Sequence, residues 1–204
     1  MAREPAPRYS HCKALSMARL RSPEKRSAIL QAAVREIAES GLGASTAKIA
    51  KRAGLAEGTL FTYFPTKEEL LNELYVELKA EVYSRLNAGF PRKADLERRV
   101  RHVWCSFLNW GIEFPEKRKT SVLLNVSDVV TAESRARTAS ARGPIDATLS
   151  ELESGKALRG LPKGFAAAAI ASMQEAAMEL IMKQPKQREA IIERTFKFLW
   201  RALE

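Results

Sequence analysis

Residues 54–69 read GLAEGTLFTYFPTKEE, a run that crowds hydroxyl, aromatic and acidic side chains between a glycine and a proline. Several of them are too polar, or too large and partly polar, to serve only as a core. Their chemistry is that of recognition. Thr59 and Thr62 can hydrogen-bond a phosphate or offer a methyl to thymine, Glu57 can accept from a cytosine amine, and Gly58 lets a backbone come close. The other reactive pair, His102 and Cys105, stands three residues apart on one helical stretch and could face each other as base and thiol. No third orienting group or oxyanion donor accompanies them, and a buried cysteine is usually inert packing. Cys12 and Cys105 form no metal or redox spacing and read as free thiols in a reducing cytoplasm. The sequence therefore assigns no catalytic residue, no metal and no cofactor.

The recognition set depends on the elements that hold it. STAKIAKRAGLAEGTLFTYF, residues 45–64, reads as two short helices around Gly54. Ser45 is an N-cap opening the first, which runs through Ala53; the second runs from about Ala56 to Phe64. Ile49, Ala50 and Ala53 can pack against Leu60 and Phe64, with Leu55 plugging the turn and Gly54 supplying its backbone freedom. This is helix-turn-helix spacing, in which the second helix lies in a major groove. With Leu60 and Phe64 assigned inward, Glu57, Gly58, Thr59, Phe61, Thr62 and Tyr63 remain on the outward arc. Ser45 and Thr46 sit at a helix N-terminus, where free N–H groups and the dipole favour a phosphate, and Lys48 joins the set as a cation. Lys67 lies in the first turn of the next helix, against the dipole, a placement that makes sense if it reaches a phosphate.

Charge points the same way. The chain of 204 residues carries +10, but residues 1–64 hold 11 Lys/Arg against 5 Glu, while 65–204 hold 23 against 19. A basic N-terminal third implies an anionic partner, nucleic acid or a membrane surface. The helix starting at Ser22 dilutes Lys25, Arg26 and Arg35 with Glu24, Glu36 and Glu39, which disfavours the membrane. Residues 1–21, with Arg3, Arg8, Lys13, Arg19 and Arg21, read as a flexible basic arm able to follow phosphates or enter a minor groove. The N-terminal stretch MAREPAPRYSHCKALSMARLRS has charges but no apolar run of the kind an export signal carries, and the apolar stretch 165–182 is interrupted by Gln174, Glu175 and Glu179. Neither export nor a membrane span is expected, and a cytoplasmic location is.

Helical periodicity covers the rest, and the fold class is all-α. Ser22-Pro23-Glu24 opens a helix that runs to Gly41, and Thr66-x-x-Glu69 has the form of a capping box for another that runs toward Leu86. A stripe from Val100 to Ile112 ends at Phe114-Pro115, residues 122–130 form a shorter apolar stretch, and 131–153 reads as one helix with a weak point at Gly143-Pro144. Two last helices, about 165–183 and 186–203, are apolar nearly all round, which calls for burial on both sides. A homodimer face forming a four-helix bundle is the sharper reading, and burial within the monomer the plainer one. Trp104, Phe107, Trp110, Leu123, Leu149, Met173 and Ala177 supply aromatic and flexible apolar surface that could enclose a small, lipophilic or aromatic effector, or simply fill the core.

Residues 22–75, and above all GLGASTAKIAKRAGLAEGTLFTYFPTKEELL, resemble the DNA-binding domain of the TetR/AcrR family of transcriptional regulators. The resemblance implies a three-helix DNA-binding domain over 22–65 and a larger helical effector-binding and dimerisation domain over 66–204. It further implies a double-stranded, palindromic DNA operator bound by a dimer, repression as the default action, and release by a small molecule. A constitutive or activating regulator of the same fold is the alternative. Three departures bear on the operator: Ala56 replaces the serine cap common in the family, Glu57 stands where Lys or Arg is frequent, and Phe61 where Tyr is usual.

Overall fold

The computed structural model describes residues 22–203, so the basic arm expected over 1–21, with Cys12, lies outside the described residues. Helix α1 (Pro23–Ser40) starts where the sequence places it: the Ser22 hydroxyl accepts from the Lys25 N–H and Pro23 fills the first helical position. Its inward stripe, Ile29, Ala33 and Ile37, is sealed from solvent. Helices α2 (Thr46–Arg52) and α3 (Glu57–Tyr63) follow, then the long α4 (Lys67–Asn87), capped by the Thr66 hydroxyl on the Glu69 N–H at 3.0 Å. The remaining helices are α5 (Leu96–Glu113), α6 (Pro115–Asn125), α7 (Ala132–Arg137), α8 (Pro144–Ser154), α9 (Phe165–Lys183) and α10 (Arg188–Leu203). Two single 3-10 turns, Ala139–Arg142 and Pro185–Gln187, complete them, and no strand occurs among the described residues.

Two expectations need correcting. Residues 131–153 are three elements rather than one helix, because Gly143 takes a positive φ of 54° and Pro144 cannot continue the chain of N–H donors before it. The apolar stretch 122–130 is the end of α6 and its loop. The helix begins at Pro115, whose fixed φ favours a first helical position, under the polar run EKRKT that hides the periodicity.

Three clusters make the interior. The first joins α1, α2 and α3 to the first half of α4, and reaches Leu124 and Val130. The second packs α5 on α9 and α10 around Trp104, Met178 and Phe196, and the third holds Val82, Leu86, Phe90 and Trp110. Polar ties bind the N-terminal helices to the rest. Arg26 reaches Glu73 and Glu77 on α4, Arg137 on α7 holds the same Glu73, and the buried Thr120 hydroxyl donates to the Val34 carbonyl at 2.9 Å.

Helices α9 and α10 each bury one face only. Ala166, Ile170, Ala177 and Ile181 turn inward on α9, while Phe165, Leu180 and Met182 are exposed; on α10 Phe198 is 67 % exposed. By length and composition α9 is apolar enough to cross a bilayer, a test that the core helix of a soluble protein also passes, and a third of its most apolar window is buried.

Candidate nucleic-acid interface

The turn between α2 and α3 fixes the angle at which α3 is presented. Gly54 adopts φ +71°, its N–H donates to the Lys51 carbonyl at 3.1 Å, and the Leu55 N–H donates to the Ala50 carbonyl at 2.9 Å. This crossed pair satisfies two carbonyls at the end of α2 and turns Leu55 against the core. Ile49 and Ala50 are buried under α3, and Leu60 and Phe64 are 0 % and 2 % exposed.

The opposite arc of α3 faces solvent. Glu57, Gly58, Phe61 and Thr62 are exposed, and Thr59 and Tyr63 are half-buried. Several of these groups already have work inside the fold. The Thr46 hydroxyl donates to Glu57 Oε1 at 2.6 Å, locking α2 to the start of α3, and the Thr62 hydroxyl donates back to the Gly58 carbonyl. The Tyr63 hydroxyl accepts from the Ser22 N–H at 2.8 Å, so this ring clasps the start of α1 and offers outward only its remaining O–H. Helix α3 has no side-chain cap, as Ala56 dictates, whereas the Ser45 hydroxyl accepts from the Lys48 N–H.

Cations divide by type around this arc. Arg26 and Arg52 are structural: Arg52 grips Glu36 and Glu39 of α1 at 2.6 Å each, and Arg26 also lies over the Phe64 ring. Lys25, Lys48, Lys51 and Lys67 have no acidic partner within 4 Å among the described residues. Unpaired ammonium groups and hydroxyl-bearing caps are the kinds of group that contact a phosphate backbone. Lys25 and Lys51 were not singled out from sequence, where a helix charge cannot be told free from paired.

The rest of the expected set is dispersed. Trp104, Trp110 and Ala177 are packed solid, and Phe107, Leu123, Leu149 and Met173 are half-buried. They are spread over three packing clusters. A cavity of about 540 Å³ lies elsewhere, between α1, α4 and the corner joining α5 to α6. Leu30, Val34, Leu74, Leu78 and Phe114 line it, with Glu77, Glu81, Glu113 and Glu116 among the polar residues beside them. Nothing in a local sequence pattern brings residues 30, 74 and 114 together. His102 and Cys105 also part company: His102 donates to the Leu86 carbonyl and stacks edge-on against Phe90, while Cys105 turns toward Arg188 and Glu193. Burial pushes the Cys105 thiol up, the reverse of an activated nucleophile.

Residues 29–74 match the family model described as bacterial regulatory proteins, tetR family. Residues 29–74 are of the TetR family. The match spans α1 to the first half of α4, the segment that builds the first core cluster. The fatty acid metabolism regulator protein of Bacillus subtilis (strain 168) is 38 % identical over 76 residues, which are 37 % of this chain and 39 % of that one. The chain thus spans about two fifths of the length of that curated relative. Over nearly its full length the fold is that of a TetR family transcription regulator from Marinobacter aquaeolei VT8, at TM-score 0.73 and 27 % identity, covering 88 % of this chain and 95 % of that one. A transcriptional regulator FadR from Bacillus subtilis, solved in complex with stearoyl-CoA, shares the fold at TM-score 0.63 and 23 % identity, covering 87 % of this chain and 99 % of that one.

Proposed function

We propose that the protein is a transcription regulator that binds a palindromic DNA operator as a homodimer through α2 and α3, and releases it when a small molecule binds. The observation that carries the DNA reading is the division of α3: Leu60 and Phe64 are sealed into the core, while Phe61, Thr62 and Gly58 are exposed and Thr59 is half-buried on the opposite arc. A seven-residue helix with that exposed face fits a major groove. Repression, with the protein acting in the cytoplasm, is the mode this reading takes.

Dimer formation is supported by the faces α9 and α10 leave open. Phe165, Leu180, Met182 and Phe198 are large apolar side chains in solvent, and packing the two helices against a two-fold copy covers them in a four-helix bundle. A lipophilic or aromatic effector is supported by the apolar floor of the 540 Å³ cavity, and by the acyl-CoA held by the FadR structure of similar fold. The switch follows from what that cavity touches. It lies between α1 and α4, and α1 is tied to the end of α3 through the Ser22–Tyr63 hydrogen bond. An occupant that spreads α1 from α4 re-aims α3, and paired reading helices must stay about 34–36 Å apart to enter successive grooves. A tenfold loss of operator affinity needs about 1.4 kcal/mol of preference for the re-aimed state.

Selection of bound duplexes from a random pool tests the DNA reading. A palindromic consensus is the expected product, and a pool that stays random after repeated rounds overturns the proposal. With the consensus in hand, a lipophilic ligand shown by calorimetry to bind should weaken the complex; unchanged affinity refutes the switch while leaving DNA recognition standing.

A further inference from the structure

One ridge of α4 carries Tyr75, Lys79, Tyr83 and Asn87, each four residues after the last and therefore on one face. Helix α4 packs against α7 and the 3-10 turn Ala139–Arg142, which bring Arg135 and Arg142 to this ridge. The Lys79 ammonium lies 5.5 Å from the Tyr75 ring centroid, and the Arg135 guanidinium lies 5.7 Å from the same centroid. Tyr83 and its hydroxyl sit beside the guanidinium of Arg142. Three cations thus converge on two phenols.

Counter-charge is scarce there. Lys79 has no carboxylate within 4 Å among the described residues, and Arg135 spends its N–H groups on the Asn125 and Ser127 carbonyls, which carry no charge. Asp146 of α8, 3.6 Å from Arg142, is the one carboxylate paired with any of the three among the described residues. Two polar atoms of the cluster are buried without a hydrogen-bond partner, Arg142 Nε and Asn87 Oδ1. Like charges held this close, with a buried donor unspent, cost stability unless an anion joins them.

We propose that Lys79, Arg135 and Arg142 form a binding site for a small anionic group, a phosphate or a carboxylate, between α4 and the α7 segment. Tyr75 floors the site, and Lys79 and Arg142 are its donors. An anion there clamps the α7 segment onto the helix whose first turn carries Lys67. The free site leaves its mark on Lys79: burial, then the fields of Arg142 and Arg135, bring its pKa down to about 8 from 10.5. Tyr75, Tyr83 and Asp146 are the other titratable groups facing the cluster, and burial holds the Tyr83 phenol above its ordinary range.

The test uses the full chain without DNA, so it stands or falls apart from the reading of α3. Inorganic phosphate and hexanoate are titrated into the protein by calorimetry at pH 8, in two buffers of different ionisation enthalpy, and the Lys79 side chain is followed by NMR. Saturable binding of either probe is expected, with uptake of about half a proton as Lys79 becomes fully charged. Phosphate alone binding identifies the site with free oxyanions; hexanoate binding the more tightly identifies it with the head of an apolar acid. Lys79→Met should weaken binding about tenfold or more, and Lys93→Met, on an exposed loop, should not change it. No saturable binding of either probe, or a Lys79 titration unmoved by saturating anion in the wild-type protein, overturns the proposal.

Discussion

Truncating Leu60 and Phe61, neighbours on one short helix, should give opposite phenotypes. Leu60 is fully buried in the cluster that holds α1 to α3 together, and Phe61 is 39 % exposed. Leu60→Ala removes a buried isobutyl group and leaves a cavity, a loss of about 3 kcal/mol by the usual range for such sites. For a chain of this size that lowers the melting temperature by roughly 6–12 °C. Phe61→Ala changes a surface side chain and should shift stability by no more than about 0.5 kcal/mol. Its DNA affinity should nevertheless fall about tenfold or more, as expected for one lost contact in a groove. Thermal melting by circular dichroism and fluorescence anisotropy on the selected duplex measure both quantities. If Phe61→Ala melts as early as Leu60→Ala, or leaves DNA binding untouched, the assignment of faces on α3 is wrong.

Lys48→Ala and Lys67→Ala should each lower the slope of log affinity against log salt by about 1, uniformly across sequences, because each removes one phosphate contact. Glu73 is held below the ordinary carboxylate range, first by its hydrogen bond from Arg137 and then by the charges of Arg137 and Arg26. A depressed folded pKa gives stability that is present above the unfolded value near 4.5 and lost as pH falls through the folded one. Glu73→Gln should therefore narrow the difference in melting temperature between pH 6 and pH 3, and an identical acid profile would count against the triad. Phe198→Glu should turn a dimer into a monomer in sedimentation velocity, since it plants a charge in the exposed apolar face of α10; an intact dimer would move the interface elsewhere.

The parts legible in sequence were those written in local chemistry. Ser22, Ser45 and Thr66 each cap a helix with their own hydroxyl, and a cap announces itself within three residues. The inward pair Leu60 and Phe64 followed from helical spacing alone. Long-range pairing was not legible. That Tyr63 spends its hydroxyl on Ser22, 41 residues away, or that Thr46 holds Glu57, depends on how α1, α2 and α3 meet. The aromatic residues of α5 were ambiguous for a related reason: Trp104 and Trp110 look the same in sequence whether they line a space or fill one. Here they fill it, and the space opens at a corner made by Pro115, where three remote segments fail to close.

The cluster that seats α3 does not stop where the reading helices do. Leu70, Leu71, Leu74, Tyr75 and Leu78 from α4, with Leu124 near the end of α6 and Val130 in the loop after it, supply much of its floor. A gene fragment ending at residue 65 would encode a reading head without its foundation, and should express as an unstructured peptide. Transplanting this specificity onto another sensor therefore calls for a splice no earlier than the loop after Val130, carrying Thr120 and Arg137's partner Glu73 along, so that the graft arrives with the surfaces it rests on.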